Sequence, residues 1–353
     1  MKLINRFRAL FRQTAVWLVV LVFTTSNPIL AQWVRTNGPY GGSVQLFAVS
    51  GTNLFVGTFG SGVFISTNNG TSWSEVNSGL RTKYVHSLAV SGTNLFAGTW
   101  DRGVFLSTNN GTSWSEVNSG LTNKDVRSLA VSGTNLFAGT WGGGVFISTN
   151  NGTSWTAVNF GLIDWDIRSL VVSGANLFAG TLVRGIFLST NNGTSWSEVN
   201  SGLTNTDVRS LAVSGTKLFV GTFGGGVFIS TNNGTSWSEV NSGLTNKYVL
   251  SLAVSGTNLF AGTWDSGVFI STNNGISWSE VNSGLTDRTV GSLAVSGTNL
   301  FAGTSGSGVF LSTNNGTSWS AVNSGLTNTE VASFAVSVSA TRLFPSKKVK
   351  KTR

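Results

Sequence analysis

The stretch STNNGTSW at residues 66–73 returns unchanged at residues 107, 148, 189, 230 and 312. A further copy begins at residue 271 and differs only at Ile276, where the other copies have Thr. Consecutive copies begin 41 residues apart. A fixed period of about 40 residues is typical of propellers and solenoids, in which each repeat is one structural unit. The sequence therefore predicts a single domain built from repeats.

Each repeat contains four short apolar runs, as residues 126–161 show. The turn signals SGTN, WGGG and TNNGTS separate these runs, and none of the runs has the 3.6-residue period of a helix. We therefore predict four antiparallel strands per repeat, called A to D. Strand A alternates the large Leu129 and Val131 with small residues, which suits sheets stacked around an axis. This pattern favours an all-β propeller over a β-solenoid, whose coils are usually shorter and whose strands are parallel.

The repeated stretch itself has the composition of a tight turn between strands C and D. Asn-Gly favours hairpin turns because these turns need a positive φ, which Gly supplies without steric cost. We expect the side-chain oxygen of Asn68 to accept hydrogen bonds from nearby backbone N–H groups. We expect Trp73 to cover the turn with its ring. The repetition then indicates one fold unit used seven times rather than seven active sites.

The pattern Ser-x-Asn-x-Gly-x-x-Trp resembles the Asp box, or BNR repeat, whose pattern is Ser-x-Asp-x-Gly-x-x-Trp. Asp boxes lie on C–D hairpins of β-propellers in sialidases, xyloglucan-type glycoside hydrolases, sortilin-like receptors and photosystem II assembly factors. The resemblance covers residues 33–344 and departs from the pattern by placing Asn where Asp is usual. An amide oxygen can make the same backbone contacts, so the fold expectation is unchanged. The structural positions that the resemblance implies are Ser66, Asn68, Gly70, Trp73, Asn109, Trp114, Asn150, Trp155, Asn191, Trp196, Asn232, Trp237, Asn273, Trp278, Asn314 and Trp319.

The number of blades depends on the ends of the repeat region. WVRTNG at residues 33–38 is similar to strand D, and FAVSVSATRLF at residues 334–344 is similar to strands A and B. We therefore expect eight blades, with seven complete units and an eighth closed by strands from both ends. A ring of seven blades is the alternative, and it would leave three strand-like segments unplaced.

The N-terminal region has the pattern of an export signal. Residues 1–31 contain four basic residues and no acidic residue, followed by an apolar stretch at 15–23 and a cleavage point at Ala31. Nine apolar residues are too few to span a bilayer, which takes about 20. We predict a signal peptide over 1–31, a propeller over 32–345 and a basic tail over 346–353. The mature chain is then secreted, periplasmic or on the cell surface, with a retained signal anchor as the alternative.

The charge distribution argues against a nucleic-acid partner. The chain has a formal net charge of +9, but its two ends carry ten basic residues and no acidic residue, which leaves the body close to neutral. The chain contains no Cys, so disulfides and Cys-based metal sites are excluded. We expect no cofactor, no metal and a monomeric protein.

The two faces of the predicted ring differ in sequence. The A–B and C–D turns share one face, and their sequences are nearly constant from repeat to repeat. The B–C and D–A connections share the other face, and they vary. We call this second face the variable face. Loops at one end of a rigid scaffold often carry binding residues, and the resemblance also implies a site opposite the boxes. Neutral drift at loosely packed positions is the alternative explanation.

Two columns of residues on the variable face are candidates for ligand binding. One column opens strand A, and its Arg side chains offer planar donors to carboxylates or sulfates. The Asp two residues earlier in the same repeat can instead pair with each Arg, which is the interpretation we favour. The other column places Trp at the start of the B–C turn, where it can stack on sugars or pack against the blade, and packing is favoured. The candidates are His86, Arg127, Arg168, Arg209, Asp125, Asp166, Asp207, Trp100, Trp141 and Trp264.

Enzymatic function finds little support in the sequence. A glycosidase generally needs two carboxylates about 5–10 Å apart, whereas most of the acidic residues here occupy equivalent positions of the repeats. His86 is the only histidine, and the Arg-Ile-Pro motif of sialidases is absent. We therefore predict a non-catalytic binding or scaffolding protein for a glycan or an extracellular protein. A glycoside hydrolase or sialidase-like enzyme and a purely structural repeat protein are the alternatives.

Overall fold

A computed structural model describes the backbone of residues 43–50 and 53–327, and the side chains of residues 53–327. These residues form seven four-stranded sheets and no helix. The first four sheets are β1 (Ser43–Ser50), β2 (Asn53–Phe59), β3 (Gly62–Ser66), β4 (Ser74–Glu75); β5 (Val85–Ser91), β6 (Asn94–Thr99), β7 (Val104–Ser107), β8 (Ser115–Glu116); β9 (Val126–Ser132), β10 (Asn135–Thr140), β11 (Gly144–Ser148), β12 (Thr156–Ala157); and β13 (Ile167–Ser173), β14 (Asn176–Thr181), β15 (Ile186–Ser189), β16 (Ser197–Glu198). The last three are β17 (Val208–Ser214), β18 (Lys217–Thr222), β19 (Gly226–Ser230), β20 (Ser238–Glu239); β21 (Val249–Ser255), β22 (Asn258–Thr263), β23 (Gly267–Ser271), β24 (Ser279–Glu280); and β25 (Val290–Ser296), β26 (Asn299–Thr304), β27 (Val309–Ser312), β28 (Ser320–Ala321).

Each sheet is one blade, and its strands A, B, C and D pair antiparallel in chain order. The A strands of adjacent blades contact one another all the way around the ring, from β1 through β25 and back to β1. Strand A is therefore the innermost strand, and the two-residue strand D lies at the outer edge. This arrangement is a seven-bladed β-propeller, as the repeat period predicts for the fold class.

The hydrophobic core lies between the blades. One cluster joins Ala130 and Phe137 of the third blade to Leu170, Phe187 and other apolar residues of the fourth blade. Leu170 and Ala130 share this cluster, so the large face of one strand A packs against the small face of the next. Dispersion and area burial across such joints supply the stabilisation that disulfides would otherwise provide.

The repeated C–D turn has the geometry expected from its sequence. Asn69 and Gly70 both have positive φ, 54° and 82°, and Thr71 N–H donates to the carbonyl of Asn68 at 3.2 Å. These features define a type I′ turn. The Asn68 Oδ1 atom accepts hydrogen bonds from the Ser72 N–H and the Ser66 hydroxyl, each at 2.9 Å. The side chain of Asn68 therefore replaces a backbone acceptor.

The Trp that ends each turn joins neighbouring blades, in addition to covering its own turn. Trp155 Nε1 donates to the carbonyl of Val117 in the preceding blade at 2.7 Å, and Trp155 N–H donates to Ser119 at 2.8 Å. Gly120 follows this contact, and a Cβ atom there would lie 2.2 Å from the Trp155 carbonyl oxygen. Only Gly fits at that position, which explains why every blade has Gly there, at Gly79, Gly120, Gly161, Gly202, Gly243, Gly284 and Gly325.

The ring closes with seven blades, so the expectation of eight is wrong. Trp73 of the first blade donates from Nε1 to the carbonyl of Val322 at 2.9 Å and from its N–H to Ser324 at 2.8 Å. These contacts to the seventh blade match those at the other joints, and Phe64 and Phe301 share the core cluster there. No place is left between these blades for another sheet. The strand-like segments 33–38 and 334–344 lie outside the described residues.

We predict that Trp73→Ala and Trp155→Ala lower the free energy of unfolding by similar amounts, about 3–5 kcal/mol each. Both substitutions remove a buried indole ring and its hydrogen bond to the preceding blade. Denaturant titrations of the purified variants measure the effect. Trp165→Ala is the control, because Trp165 is exposed and lies away from these joints. A wild-type stability for Trp73→Ala would contradict closure of the ring between the seventh and first blades.

Candidate functional site

Strand A carries a β-bulge at its second residue, and this bulge positions the candidate column. In the third blade Thr140 pairs with Val126 and Gly139 pairs with Ser128, so Arg127 has no partner in the ladder. The same shift occurs at His86, Arg168 and Arg209. A bulge redirects a side chain and often lies beside a functional site.

The arginines of the third and fifth blades are paired with acids of their own strands. Arg127 Nε lies 2.7 Å from Asp125 Oδ1, and Arg127 Nη2 donates to Asp125 Oδ2 at 2.8 Å. Arg209 makes the same two contacts with Asp207, at 2.7 and 2.8 Å. These two guanidinium groups are therefore neutralised within their own blades.

Arg168, in the blade between them, differs from both neighbours. Among the described residues no carboxylate oxygen lies within 4.0 Å of its guanidinium nitrogens, and its buried Nε has no hydrogen-bond partner. Its Cζ lies 4.3 Å from the centre of the Trp141 ring, and the Arg127 Cζ lies 5.1 Å from the same ring. Burial, with the charges of Arg209 and Arg127, lowers the pKa of Arg168 to about 10. Arg168 therefore remains charged at neutral pH.

His86 and Asp125 complete the buried part of the site. Burial, followed by the charges of Arg127 and Arg168, lowers the pKa of His86 to about 3. His86 is therefore neutral at physiological pH and adds no positive charge. Burial raises the pKa of Asp125, and the hydrogen bond from Arg127 opposes this shift.

The three Trp candidates occupy different environments. Trp141 is half-buried beside the two arginines, whereas Trp100 and Trp264 are 44% and 54% exposed. Large exposed apolar side chains are concentrated in the B–C and D–A connections, which contain eight of the nine such residues among those described. These eight are Tyr84, Trp100, Phe160, Ile163, Trp165, Val183, Tyr248 and Trp264. The variable face is thus the more apolar of the two.

Several acidic residues on this face make local structural contacts. Asp164 accepts hydrogen bonds from the N–H groups of Asp166 and Val183, at 3.0 and 3.1 Å. Asp287 makes equivalent contacts with the N–H groups of Thr289 and Gly306. In the described part of the chain no group of three or more His, Cys, Asp or Glu residues could hold a metal ion.

The Arg and Trp columns were predicted from the sequence, whereas the bulge and the exposed Tyr248 were not. A signal for the bulge is present in the spacing of apolar residues. Val126 and Leu129 are three positions apart, yet both are buried in the same core cluster. A regular strand would place them on opposite faces, so the odd spacing requires an extra residue.

Comparisons with known proteins agree with this fold. Residues 177–288 match the family model described as the DUF6242 beta propeller domain, and no curated protein matches the chain. The extracellular domain of BT4673 from B. thetaiotaomicron, described as part of a one-component system, is similar with a TM-score of 0.66 and 18% identity, over 78% of this chain and 39% of that chain.

Two further solved structures are similar to this chain. A GH74 xyloglucanase from Xanthomonas campestris gives a TM-score of 0.63 at 16% identity, over 84% of this chain and 56% of that chain. YCF48 bound to a D1 peptide gives a TM-score of 0.61 at 15% identity, over 75% of this chain and 91% of that chain. The chain spans 39% of the length of the extracellular domain and about half of the enzyme. At these identities the similarities establish the β-propeller fold alone.

The described residues contain no helix that is long and apolar enough to cross a membrane.

We predict that His86 stays neutral well below its usual titration range. Because His86 is the only histidine, its imidazole resonances can be followed by NMR without assignment of the other residues. We expect no titration between about pH 7.5 and about pH 5, since the folded-state pKa is far below the ordinary value of about 6.5. A midpoint near pH 6.5 would show that the imidazole is solvated rather than buried.

The lowered pKa of His86 also makes the stability of the fold depend on pH. As pH falls below about 6.5, the unfolded chain binds a proton at His86 before the folded chain does, so His86 destabilises the fold increasingly towards about pH 3. His86→Leu, which copies Leu250 of the sixth blade, should remove this contribution. We expect the wild type to lose up to about 1.4 kcal/mol per pH unit relative to the variant. Denaturant titrations at several pH values measure the difference, and parallel curves would contradict it.

Proposed function

We propose that this chain is an exported, non-catalytic binding protein that holds an acidic glycan on its variable face. The observation that carries the proposal is the unpaired, half-buried guanidinium of Arg168 at the inner edge of the ring. The proposal includes export through a signal peptide at residues 1–31 and an Asp-box type for the repeats. An acidic segment of an extracellular protein is the second ligand class.

The ion-pair pattern of the site supports an anionic group at Arg168, since Asp166 of the same blade makes no ion pair with it. Asp125 and Asp207 neutralise Arg127 and Arg209, whereas Arg168 keeps its charge. A buried donor without a partner costs free energy, which a bound acceptor would recover. The planar guanidinium matches a carboxylate or a sulfate ester in two parallel hydrogen bonds.

Trp141 supports the same proposal because it holds the Arg168 guanidinium in place. Its ring holds the Arg168 guanidinium at 4.3 Å, in the range of favourable cation–π contacts. A guanidinium that is held in place before binding loses less conformational entropy when an anion arrives. Trp141 thus orients Arg168 for the ligand.

The similar proteins are consistent with both ligand classes. They include an extracellular domain, a xyloglucanase and YCF48 bound to a D1 peptide. A glycoside hydrolase shares the fold, so the test must record turnover together with binding. We favour binding because Asp125 and Asp207 are engaged in ion pairs with Arg127 and Arg209.

We predict that Arg168→Ala weakens binding to an acidic glycan by about 10- to 100-fold, since a charge-assisted hydrogen bond contributes about 1.5–3 kcal/mol. The first step is an array of uronate-containing, sialylated, sulfated and neutral glycans, with released products measured in parallel. The matched control is Arg184→Ala, which removes an exposed arginine from the same blade and the same face.

Equal losses in both variants would indicate general electrostatic attraction rather than a site at Arg168. Release of a shortened glycan by the wild type would establish an enzyme and overturn the non-catalytic proposal. Binding only to peptides would show that the ligand is a protein segment rather than a glycan.

A further inference from the structure

Two joints between blades carry the same set of aromatic side chains on the variable face. The first platform consists of Phe59, Tyr84 and Trp100, at the joint between the first and second blades. The second platform consists of Phe223, Tyr248 and Trp264, at the joint between the fifth and sixth blades. The two sets are four repeats apart in sequence.

The two platforms are built in the same way. Phe59 forms an isolated antiparallel bridge with Tyr84, and Phe223 forms one with Tyr248. The ring centroids of these pairs are 4.7 and 4.8 Å apart, and both pairs are tilted by 59°. The Trp rings lie 5.3 Å from Phe59 in one platform and 6.3 Å from Phe223 in the other.

Closure of the blade joint does not require these aromatic rings. In each platform the Trp N–H donates to the carbonyl of the Tyr, at 3.1 Å for Trp100 and 3.0 Å for Trp264. At the position of Tyr the third blade has Asp125 and the seventh has Thr289, and both accept the equivalent backbone hydrogen bond. The backbone joint therefore forms without Tyr, while Tyr84 and Tyr248 remain 40% and 46% exposed. Packing alone leaves this exposed aromatic area unexplained.

The distances between the aromatic rings of a platform favour a sugar over a quaternary ammonium ion as the ligand. Three aromatic rings can enclose a quaternary ammonium ion, but the cation must then lie within about 6 Å of several ring faces at once. Here the rings are in contact with one another, at 4.7 to 5.6 Å within the first platform, so no cation fits between them. Tyr84 and Trp100 stand perpendicular to each other and are 40% and 44% exposed, so part of each ring is open to solvent. An exposed Trp ring suits the C–H face of a pyranose, and Asp101 and Asp265 directly follow the Trp residues in the sequence, where carboxylates can accept hydrogen bonds from hydroxyl groups.

The platforms adjoin the arginine cluster from two sides. The His86 ring lies 5.7 Å from Phe59 and 6.4 Å from Trp100, and its pKa is affected by the charges of Arg127 and Arg168. On the other side the Cζ of Arg209 lies 4.7 Å from the centre of the Phe223 ring. Aromatic or cationic side chains thus occupy this face in every blade from the first to the sixth.

We propose that the two platforms are sugar-stacking subsites that bind one polysaccharide chain at two places, with the arginine cluster between them. This inference rests on the proposed function for the glycan class and adds the two subsites and the polymeric ligand. The joints are four blades apart in one direction and three in the other, so the platforms lie on opposite sides of the ring. A polymer that reaches both subsites gains affinity through effective concentration, whereas a short oligosaccharide occupies them separately.

The test uses the full exported chain in native affinity gels that contain polygalacturonate, alginate, hyaluronan, chondroitin sulfate, xyloglucan or laminarin. Hexasaccharides of the polymer that retards the protein most are then titrated by calorimetry. The variants are Trp100→Ala, Trp264→Ala and the double variant, because both Trp residues are exposed. Trp165→Ala is the matched control, since Trp165 is 52% exposed on the same face and outside both platforms.

At the platforms we expect the wild type to bind two hexasaccharides, each single variant to bind one, and the double variant to bind none, with any binding of an acidic hexasaccharide at Arg168 left intact. For the polymer, each single variant should lose at least about tenfold in apparent affinity, since avidity is lost. Unchanged stoichiometry in the single variants, or no retardation by any of the polysaccharides, would overturn the proposal. An equal loss with Trp165→Ala would also overturn it.

Arg168→Ala separates this inference from the proposed function. If only the acidic polymers are weakened by Arg168→Ala while the stoichiometry of two persists, both proposals stand. If neutral polymers bind equally well and Arg168→Ala has no effect, the anion site fails and the aromatic subsites remain. Loss of binding in Arg168→Ala with wild-type behaviour of both Trp variants would reject the platforms alone.

Discussion

The hydrogen bond from the indole of each repeat to a carbonyl of the preceding blade is the contact on which the ring depends. Trp155 donates this hydrogen bond to Val117, and Trp73 donates the same bond to Val322 where the seventh blade meets the first. An indole ring that is buried at the joint contributes apolar area and satisfies a carbonyl that would otherwise lose its hydration. Because the donor and acceptor lie in different blades, each repeat is completed only by its neighbour, and the last one is completed by the first.

This constraint acts mainly on one face of the ring. The C–D turn must keep Ser, Asn, Gly and Trp in fixed positions, since Asn68 and Ser66 bind its backbone and Trp73 binds the preceding blade of the ring. The B–C and D–A connections are held by backbone hydrogen bonds, such as Gly142 N–H to the carbonyl of Trp165, and by the constant Thr and Asn side chains, such as Thr140 and Asn159. The positions between these constant residues differ from blade to blade. The variable face can therefore change its chemistry without loss of the fold.

The repeat and its turn chemistry were sufficient to predict the strands, their order and the inward position of strand A. The number of blades was not predictable, because it depends on which blade accepts the hydrogen bond from the Trp73 indole. That contact joins residues 249 positions apart in the sequence. The site was predicted only as columns of residue types. Whether Arg168 has a carboxylate partner depends on rotamers and on packing against Trp141 of the adjacent blade. The bulge was recoverable from the spacing of Val126 and Leu129, but the ion-pair pattern was not.

A ring of nearly identical blades makes each departure from the repeat informative. The bulged position of strand A has the same shift in strand pairing in every blade, yet it carries Gln45, His86, three arginines, Leu250 or Gly291. The shared backbone therefore accepts apolar, neutral polar and charged side chains at this position. The charged residues occupy adjacent blades, where Arg127 and Arg209 are paired and Arg168 is not. The symmetric scaffold thus carries an asymmetric set of ion pairs, in which Arg168 differs from the arginines on both sides of it.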